Sequence, residues 1–282
     1  MTSKTWLITG ASRGFGRVWT EAALERGDRV AATARDVAAL APLSEAWGDA
    51  VVPVELDVTD RAAAFAAVAR AHSRLGSLDV VVNNAGYGLF GMVEEVTEEQ
   101  ARRQVDTNLL GPLWVTQAAL PVLRGQGHGH IIQVSSVGGV FALPGLGLYH
   151  ASKWGLEGMT SSLAMEVRSF GIKVTLVEPA GFATDWQGSS AVRAAPLPAY
   201  DEFRANLPVS ASARRGDPGA TAEAILAIAD AEEPPLRVFF GDQPFPCCAP
   251  STRTGSRSGR RGTKWRGRRS PRRPPARRRA AC

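Results

Sequence analysis

The chain is poor in cysteine, in long apolar runs and in metal-ligand spacings, and each shortage removes a class of answer. All three cysteines, Cys247, Cys248 and Cys282, fall in the last 36 residues. The body therefore has no disulfide available, and a cytoplasmic setting is expected. No stretch approaches the roughly 18 unbroken apolar residues of a membrane span, so no membrane partner is expected. Trp6-Leu7-Ile8 is too short for the apolar part of a secretion signal and meets glycines at once. His72, His128, His130 and His150 lack metal-ligand spacing, and His128-Gly129-His130 reads as a loop before a strand from Ile131 to Ser135. No metal is expected. No Gly-x-Ser-x-Gly frames Ser136, which argues against a hydrolase nucleophile. No Gly-Lys-Ser/Thr closes the N-terminal glycine cluster, which argues against a nucleoside triphosphate loop. No internal repeat is present.

What remains is organised. A chain of 282 residues with 44% hydrophobic content can form one large domain with a substantial core. Short apolar strands alternate with Ala-rich helical stretches from Thr5 to Phe240. That is the pattern of an α/β fold on a doubly wound parallel sheet of about seven strands. A first strand, Trp6 to Thr9, runs into Gly10-Ala11-Ser12-Arg13-Gly14-Phe15-Gly16, and Val18 to Leu24 continues at helical spacing. Gly10 permits a tight turn, Gly14 lets the backbone approach a pyrophosphate, and Gly16 lets the helix pack close on the strand. The helix N-terminus offers unpaired N–H groups to the anion.

Farther on, Ser136 is followed after twelve residues by Tyr149-His150-Ala151-Ser152-Lys153. Tyr149 and Lys153, four apart on a helix, share a face. There the ammonium is expected to stabilise a phenolate and pull the tyrosine pKa down from about 10. A tyrosine so poised is a general acid/base for an alcohol oxygen, and Ser136 alongside could hold the same oxygen.

Glycines spaced three then one, combined with Tyr-x-x-x-Lys, resemble the short-chain dehydrogenase/reductase family. The resemblance runs in order over about residues 5–240 and implies a single-domain Rossmann fold, assigned here to residues 1–246. Asp57-Val58, at the end of a third strand, matches the place where the family meets the adenine ring. Asn83-Asn84-Ala85-Gly86, after a fourth strand from Leu78 to Val82, matches the motif that steadies the sheet and lines the cofactor site. Asn108, in Asn-Leu-Leu-Gly, matches the residue that helps hold a water near the active-site lysine. Pro179-Ala180-Gly181 and Thr184, after a sixth strand, match the nicotinamide contacts. One departure is visible there: many members have Pro-Gly where this chain has Pro179-Ala180. The resemblance thus implies Ser136, Tyr149, Lys153 and Asn108 as the catalytic set. Ser12, Arg13 and Phe15 join the loop glycines in cofactor binding, and Lys153 also holds the nicotinamide ribose. A homodimer or homotetramer is implied as well.

Charge narrows the cofactor. The second strand reads Arg29 to Asp36, and an NAD enzyme of this design would place an acid near Ala34 to accept from the ribose hydroxyls. That acid is absent and Arg35 stands beside the position. Arg13 would point toward the same ribose, and two guanidinium groups suit a 2′-phosphate. NADP(H) is therefore expected; the alternative is that Arg35 pairs with Asp36 and Arg13 is solvated.

The net charge of +6 hides a division. Residues 251–282 carry 13 of the 33 Lys and Arg and no acid, leaving 20 bases against 27 acids before them. Residues 247–282 are a basic tail without apolar periodicity, predicted to be disordered. Three readings stay open: an electrostatic arm for nucleic acid or acidic lipid, with Trp265 as a stacking residue; a tail without function; or an end read out of frame. The abrupt switch near Pro246 to Arg, Ser, Gly and Pro is what a GC-rich gene yields in the wrong frame. Codons for Pro246 to Arg261 can be chosen so that the shifted frame encodes an amphipathic, helix-favouring segment without a stop.

The expected activity is NADP(H)-dependent interconversion of a carbonyl and an alcohol on a small-molecule substrate. Its rivals are a non-catalytic dinucleotide-sensing regulator and nucleic-acid binding through the tail; nothing else in the chain favours nucleic acid as a partner. Trp186, Leu197 and Tyr200 are candidates for an apolar pocket or for ordinary packing, and Leu143, Pro144 and Leu146 are nearer neighbours of Tyr149. A short helix is expected around Pro198 to Asn206. Glu94, Glu95, Glu98 and Glu99 read as a solvated face at a helix start, and Trp154 as core.

Overall fold

The computed structural model describes residues 3–207 and 215–241, so the basic tail and Pro246 lie outside the described residues. The strands are β1 (Thr5–Ile8), β2 (Arg29–Ala34), β3 (Val51–Glu55), β4 (Val80–Asn83), β5 (Leu89–Phe90), β6 (Gly129–Val134), β7 (Ile172–Pro179), β8 (Val192–Arg193) and β9 (Arg237–Phe240). Seven of them form one parallel sheet in the order β3-β2-β1-β4-β6-β7-β9, while β5 and β8 pair separately. Central strands such as β1 and β6 are buried along their whole length, which is why they read as apolar runs rather than as alternations.

Helices cover both faces: α1 (Gly14–Glu25), α2 (Ala41–Trp47), α3 (Arg61–Leu75), α4 (Glu98–Val105), α5 (Gly111–Gln126), α6 (Gly147–Glu166), α7 (Asp201–Ala205) and α8 (Ala222–Asp230). Successive strand side chains point to opposite faces. Leu7, Ala31, Val81 and Ile131 pack with Val68 of α3, Val115 of α5 and Leu163 of α6. Trp6, Ile8, Val30, Val82 and Ile132 pack with Trp19 of α1, Leu43 of α2 and Ile225 of α8. Each fully buried Leu or Ile contributes about 1.5–3 kcal/mol. The two large indoles also find acceptors: Trp6 donates to Asp28 Oδ2 at 2.8 Å and Trp19 to Thr221 Oγ1 at 2.8 Å.

The order of strands reverses between β1 and β4, so the chain leaves these neighbours in opposite directions and opens a crevice beyond their C-terminal ends. The predicted site residues gather at that edge, from the loops after the strands and from α6, which carries Tyr149 and Lys153.

Several local expectations are corrected. Strand β3 stops at Glu55, two residues before Asp57; β4 runs Val80–Asn83; and β6 begins at Gly129, which places His130 inside the sheet. Trp154 is 53% exposed rather than core. Glu95 is buried, not solvated, because Leu197 N donates to Oε1 at 2.8 Å, Met92 N donates to Oε2 at 2.8 Å and Arg204 pairs with it. Among the described residues no helix is long and apolar enough to cross a membrane, and no group of three His, Cys, Asp or Glu could hold a metal.

Candidate active site

The glycine loop is built as a cradle. Gly10 and Gly14 have φ of +67° and +56°, values an L side chain rarely adopts. A Cβ on Gly16 would strike Gly10 O and would lie 2.6 Å from Asn84 Nδ2. Arg13 begins α1 without a side-chain cap, and the first turn holds no acid, so the orphan N–H groups there face the crevice unneutralised. Across from it, Asn84 Nδ2 donates to Thr9 O at 2.9 Å and to Gly10 O at 3.1 Å. Thr9 Oγ1 in turn accepts from the backbone N–H groups of Asn84 and Ala85, at 2.9 Å and 3.0 Å. Thr9, just before the first loop glycine, thus locks β1 to β4 at the floor of the crevice.

A cleft of about 850 Å³ runs along this edge. It is lined by Gly10, Ser12, Arg13, Gly14 and Phe15 of the loop, by Arg35, Asp57 and Val58 at one end, and by Asn84, Ala85 and Gly86 along its floor. Ser136, Tyr149, Lys153, Pro179, Gly181 and Thr184 line it as well. Gly16 and Asn108 stand just behind it, each closing against a residue that does line it. Ala180 takes an ordinary backbone conformation, since no described non-glycine residue has positive φ; the departure from Pro-Gly therefore brings no strain.

Asn108 sits in a π-turn, Asp106–Leu110, that interrupts the run from α4 into α5; such turns often mark functional sites. Its Oδ1 accepts from Tyr87 N at 3.1 Å, and its Nδ2 donates to Tyr87 O at 2.9 Å and Ser152 Oγ at 3.3 Å. Lys153 Nζ donates to Val134 O at 2.8 Å. His150 holds the loop after Ser136: Leu143 N donates to Nε2 at 2.9 Å, which leaves Nδ1–H to donate to Gly138 O at 2.8 Å. Trp186, from the segment after Thr184, packs edge-on against the Tyr149 ring at 5.0 Å and against Phe90 at 5.0 Å. A Cβ on Gly88 would come within 2.7 Å of that indole. Leu143 and Leu146 line the same end of the cleft. Tyr200 instead donates to Glu94 Oε2 at 2.7 Å, and the expected short helix appears as a 3-10 turn, Pro198–Tyr200, followed by α7.

The electrostatics differ from expectation. Burial pushes the Tyr149 hydroxyl up to about 12, with a Ser136 hydrogen bond working the other way. Burial pushes Lys153 down to about 8, opposed by Glu157. The expected depression of Tyr149 by Lys153 is overturned: the ammonium is directed to the Val134 carbonyl and lies 6.0 Å from the phenol ring centroid. Desolvation of a buried phenol outweighs it.

Asp36 accepts from Ala38 N at 3.0 Å and makes no ion pair with Arg35 among the described residues. Arg35 is exposed and lines the cleft, and Arg13 donates to Ser189 Oγ at 3.4 Å. The alternative of an Arg35–Asp36 pair is therefore absent.

The family model of the short chain dehydrogenases matches residues 4–193. Over 244 residues the chain is 43% identical to the oxidoreductase BOA17 of Botryotinia fuckeliana strain B05.10, covering 85% of this chain and 89% of that protein. A solved short-chain dehydrogenase from Streptomyces avermitilis is 40% identical with a TM-score of 0.79, covering 85% of this chain and 88% of that one. A Burkholderia cenocepacia J2315 short chain dehydrogenase in complex with NADP is 28% identical, with a TM-score of 0.70 and coverage of 85% and 89%. One from Burkholderia phymatum in complex with NAD is 25% identical, with a TM-score of 0.73 and coverage of 84% and 88%.

Proposed function

The chain belongs to the short-chain dehydrogenase family and is an oxidoreductase of that type; from that premise we propose that it interconverts a carbonyl and an alcohol with NADP(H), Tyr149 serving as general acid/base. The observation that carries the reading is the meeting of Tyr149, Lys153 and Ser136 with the glycine cradle in one cleft. When bound, the nicotinamide supplies or accepts hydride at its C4. Gly10, Gly14 and the start of α1 would hold the pyrophosphate, Asp57 and Val58 would take the adenine, and Pro179, Gly181 and Thr184 would take the carboxamide.

Ser136 donates a hydrogen bond to the substrate oxygen and polarises it. Tyr149, kept protonated by burial, delivers its proton to that oxygen as charge develops there. Lys153, charged at neutral pH, stabilises the phenolate left behind and holds the ribose. Asn108, fixed by the Tyr87 backbone and Ser152, supports the path by which Lys153 is reprotonated. Trp186 closes the substrate end over Tyr149 and keeps water from it.

NADP(H) is preferred over NAD(H) because Arg13 and Arg35 line that end of the cleft and no acid stands at Ala34. The test is a fluorescence titration with NADPH and NADH in parallel, followed by a ketone and aldehyde screen. Tight NADPH binding, at least tenfold weaker NADH binding and turnover of a carbonyl compound are expected; equal affinity overturns the arginine argument, and binding without any turnover overturns the enzyme. The same reading makes the chain a homodimer or homotetramer. Trp154 and Met165 of α6, 53% and 76% exposed, favour that assembly, and light scattering on the purified protein counts the subunits.

A further inference from the structure

Beneath the cleft lies a second cluster of ionisable groups that the reaction above does not use. Glu157 stands one helical turn beyond Lys153 on α6 and is 6% exposed; Glu178 on β7 is fully buried. Arg237 on β9 reaches both: its Nε is 3.0 Å from Glu157 Oε2 and 3.5 Å from Glu178 Oε1. Its Nη2 donates to Ser161 Oγ at 2.8 Å. One guanidinium thus faces two buried carboxyls.

The donor count does not balance. Among the described residues, Glu157 Oε1 and both oxygens of Glu178 find no hydrogen-bond partner. Two bare carboxylates in that position would each be desolvated and would repel one another. A proton between them removes one charge and supplies the missing donor, the arrangement familiar for adjacent carboxyls. Burial and the Glu157 charge push Glu178 up to about 7 in agreement with this.

The turn at Val137–Gly139 presents Gly139, whose Cβ would lie 3.3 Å from Glu157 Oε1 and 2.7 Å from Ser135 Oγ, and no titratable group. Among the described residues, Lys153 of α6 acts on Glu157, and Arg237 of β9 meets both carboxyls.

We propose that Glu157 and Glu178 are a positioning pair for Lys153: two buried carboxyls bridged by Arg237 that share one proton at neutral pH and surrender it as the medium turns alkaline, placing a second negative charge behind Lys153. With the proton held, the pair and Arg237 are together neutral. With the proton lost to solvent, they carry one net negative charge. The lysine is therefore held protonated to higher pH than its desolvated position would allow. The effect on the Lys153 charge stands on this geometry alone; its bearing on turnover rests on the function proposed above.

The chain has only four lysines, Lys4, Lys153, Lys173 and Lys264, so ¹³Cε-lysine NMR can follow Lys153 directly in the full-length protein without cofactor or substrate. Its resonance is assigned from the Lys153→Arg spectrum. In the native protein the Lys153 curve should show a second inflection near neutrality as the pair loses its proton. Glu178→Gln keeps the shape and a donor but cannot titrate, and should erase that inflection and lower the Lys153 midpoint by roughly half a pH unit. Glu157→Gln should lower it too. A single smooth native curve overturns the proposal whether or not the variants fold; so does a midpoint unmoved in both. Carbonyl reduction measured on the same samples separates the two ideas: inactive protein with the inflection present keeps the pair and removes the enzyme, and active protein without it does the reverse.

Discussion

Glu178→Gln also makes a stability prediction whose size follows from the structure. Glu178 is fully buried, and burial together with Glu157 raises its pKa from an ordinary 4.5 to about 7. Between those values the folded chain keeps a proton that the unfolded chain has released. Stability then falls with rising pH, by about 1.4 kcal/mol per pH unit. The contribution is whole below the unfolded value near 4.5 and is lost as pH climbs through 7. Over that window it amounts to about 3 kcal/mol, which for a domain of this size is roughly 6–12 °C in Tm. The amide that replaces the carboxyl has no proton to release. The Tm of the variant minus that of the native protein should therefore rise from pH 4.5 to about 7 and then level off, whatever its sign at the acid end, and circular dichroism melts at half-unit steps measure it. Titrating groups that are not coupled to Glu178 cancel in the difference. A difference that stays flat, or falls, would refute the assignment of a proton to this pair.

Tyr149→Phe should leave NADPH affinity within about threefold and remove at least 99% of turnover, since general acid/base catalysis contributes roughly 10²–10⁴-fold; stopped assays beside a binding titration check both. Lys153, lowered by burial to about 8, is charged below that pH, so kcat/KM for reduction should be level to about pH 7 and fall as pH rises through 8; an alkaline limb that begins above 10 would exclude it as the group observed. Arg13→Ala with Arg35→Ala should weaken NADPH binding by roughly tenfold to a hundredfold and leave NADH almost unchanged, as read by fluorescence at two salt concentrations. Gly16→Ala drives a Cβ into Gly10 O and toward Asn84 Nδ2, and should abolish dinucleotide binding and lower Tm by several degrees.

The features legible in the sequence were those set by short chain distances. The glycine spacing, the pairing of Tyr149 with Lys153 and the acid missing near Ala34 are all local, and the structure brings them to one cleft. Glu95 was misread because nothing within its own helix start buries it. Its donors Leu197 and Arg204 arrive from about a hundred residues away. The pKa of Tyr149 was misjudged for the same reason, since spacing placed Lys153 one turn away but could not show how deeply the phenol is buried. Trp154 is a different kind of miss. One residue beyond Lys153 it is turned about 100° around the helix, away from the face that Tyr149 and Lys153 share, so its exposure followed from the same geometry that paired them. His130 reads as loop in the sequence because glycine flanks it, yet its ring is buried and bonded to Thr175 Oγ1 at 2.9 Å across to β7, a contact that depends on register.

Helix α6 joins the two clusters, and its spacing explains why they act on one another. Tyr149, Lys153 and Glu157 recur every four residues, so one stripe of the helix carries the phenol at the cleft, the ammonium beneath it and a buried carboxylate below that. Ser161, the next member of the stripe, accepts from Arg237, which also meets Glu157 and, on β7, Glu178. Arg237 belongs to β9, the edge strand that the described chain reaches last. The height of Tyr149 above the sheet is thus tied at the far end of its own helix to an arginine that arrives only when β9 docks on β7. A change that loosens β9 should reach the cleft through this stripe, by releasing the carboxyl pair and with it the charge behind Lys153, before it disturbs the glycine cradle on the other side of the switch point.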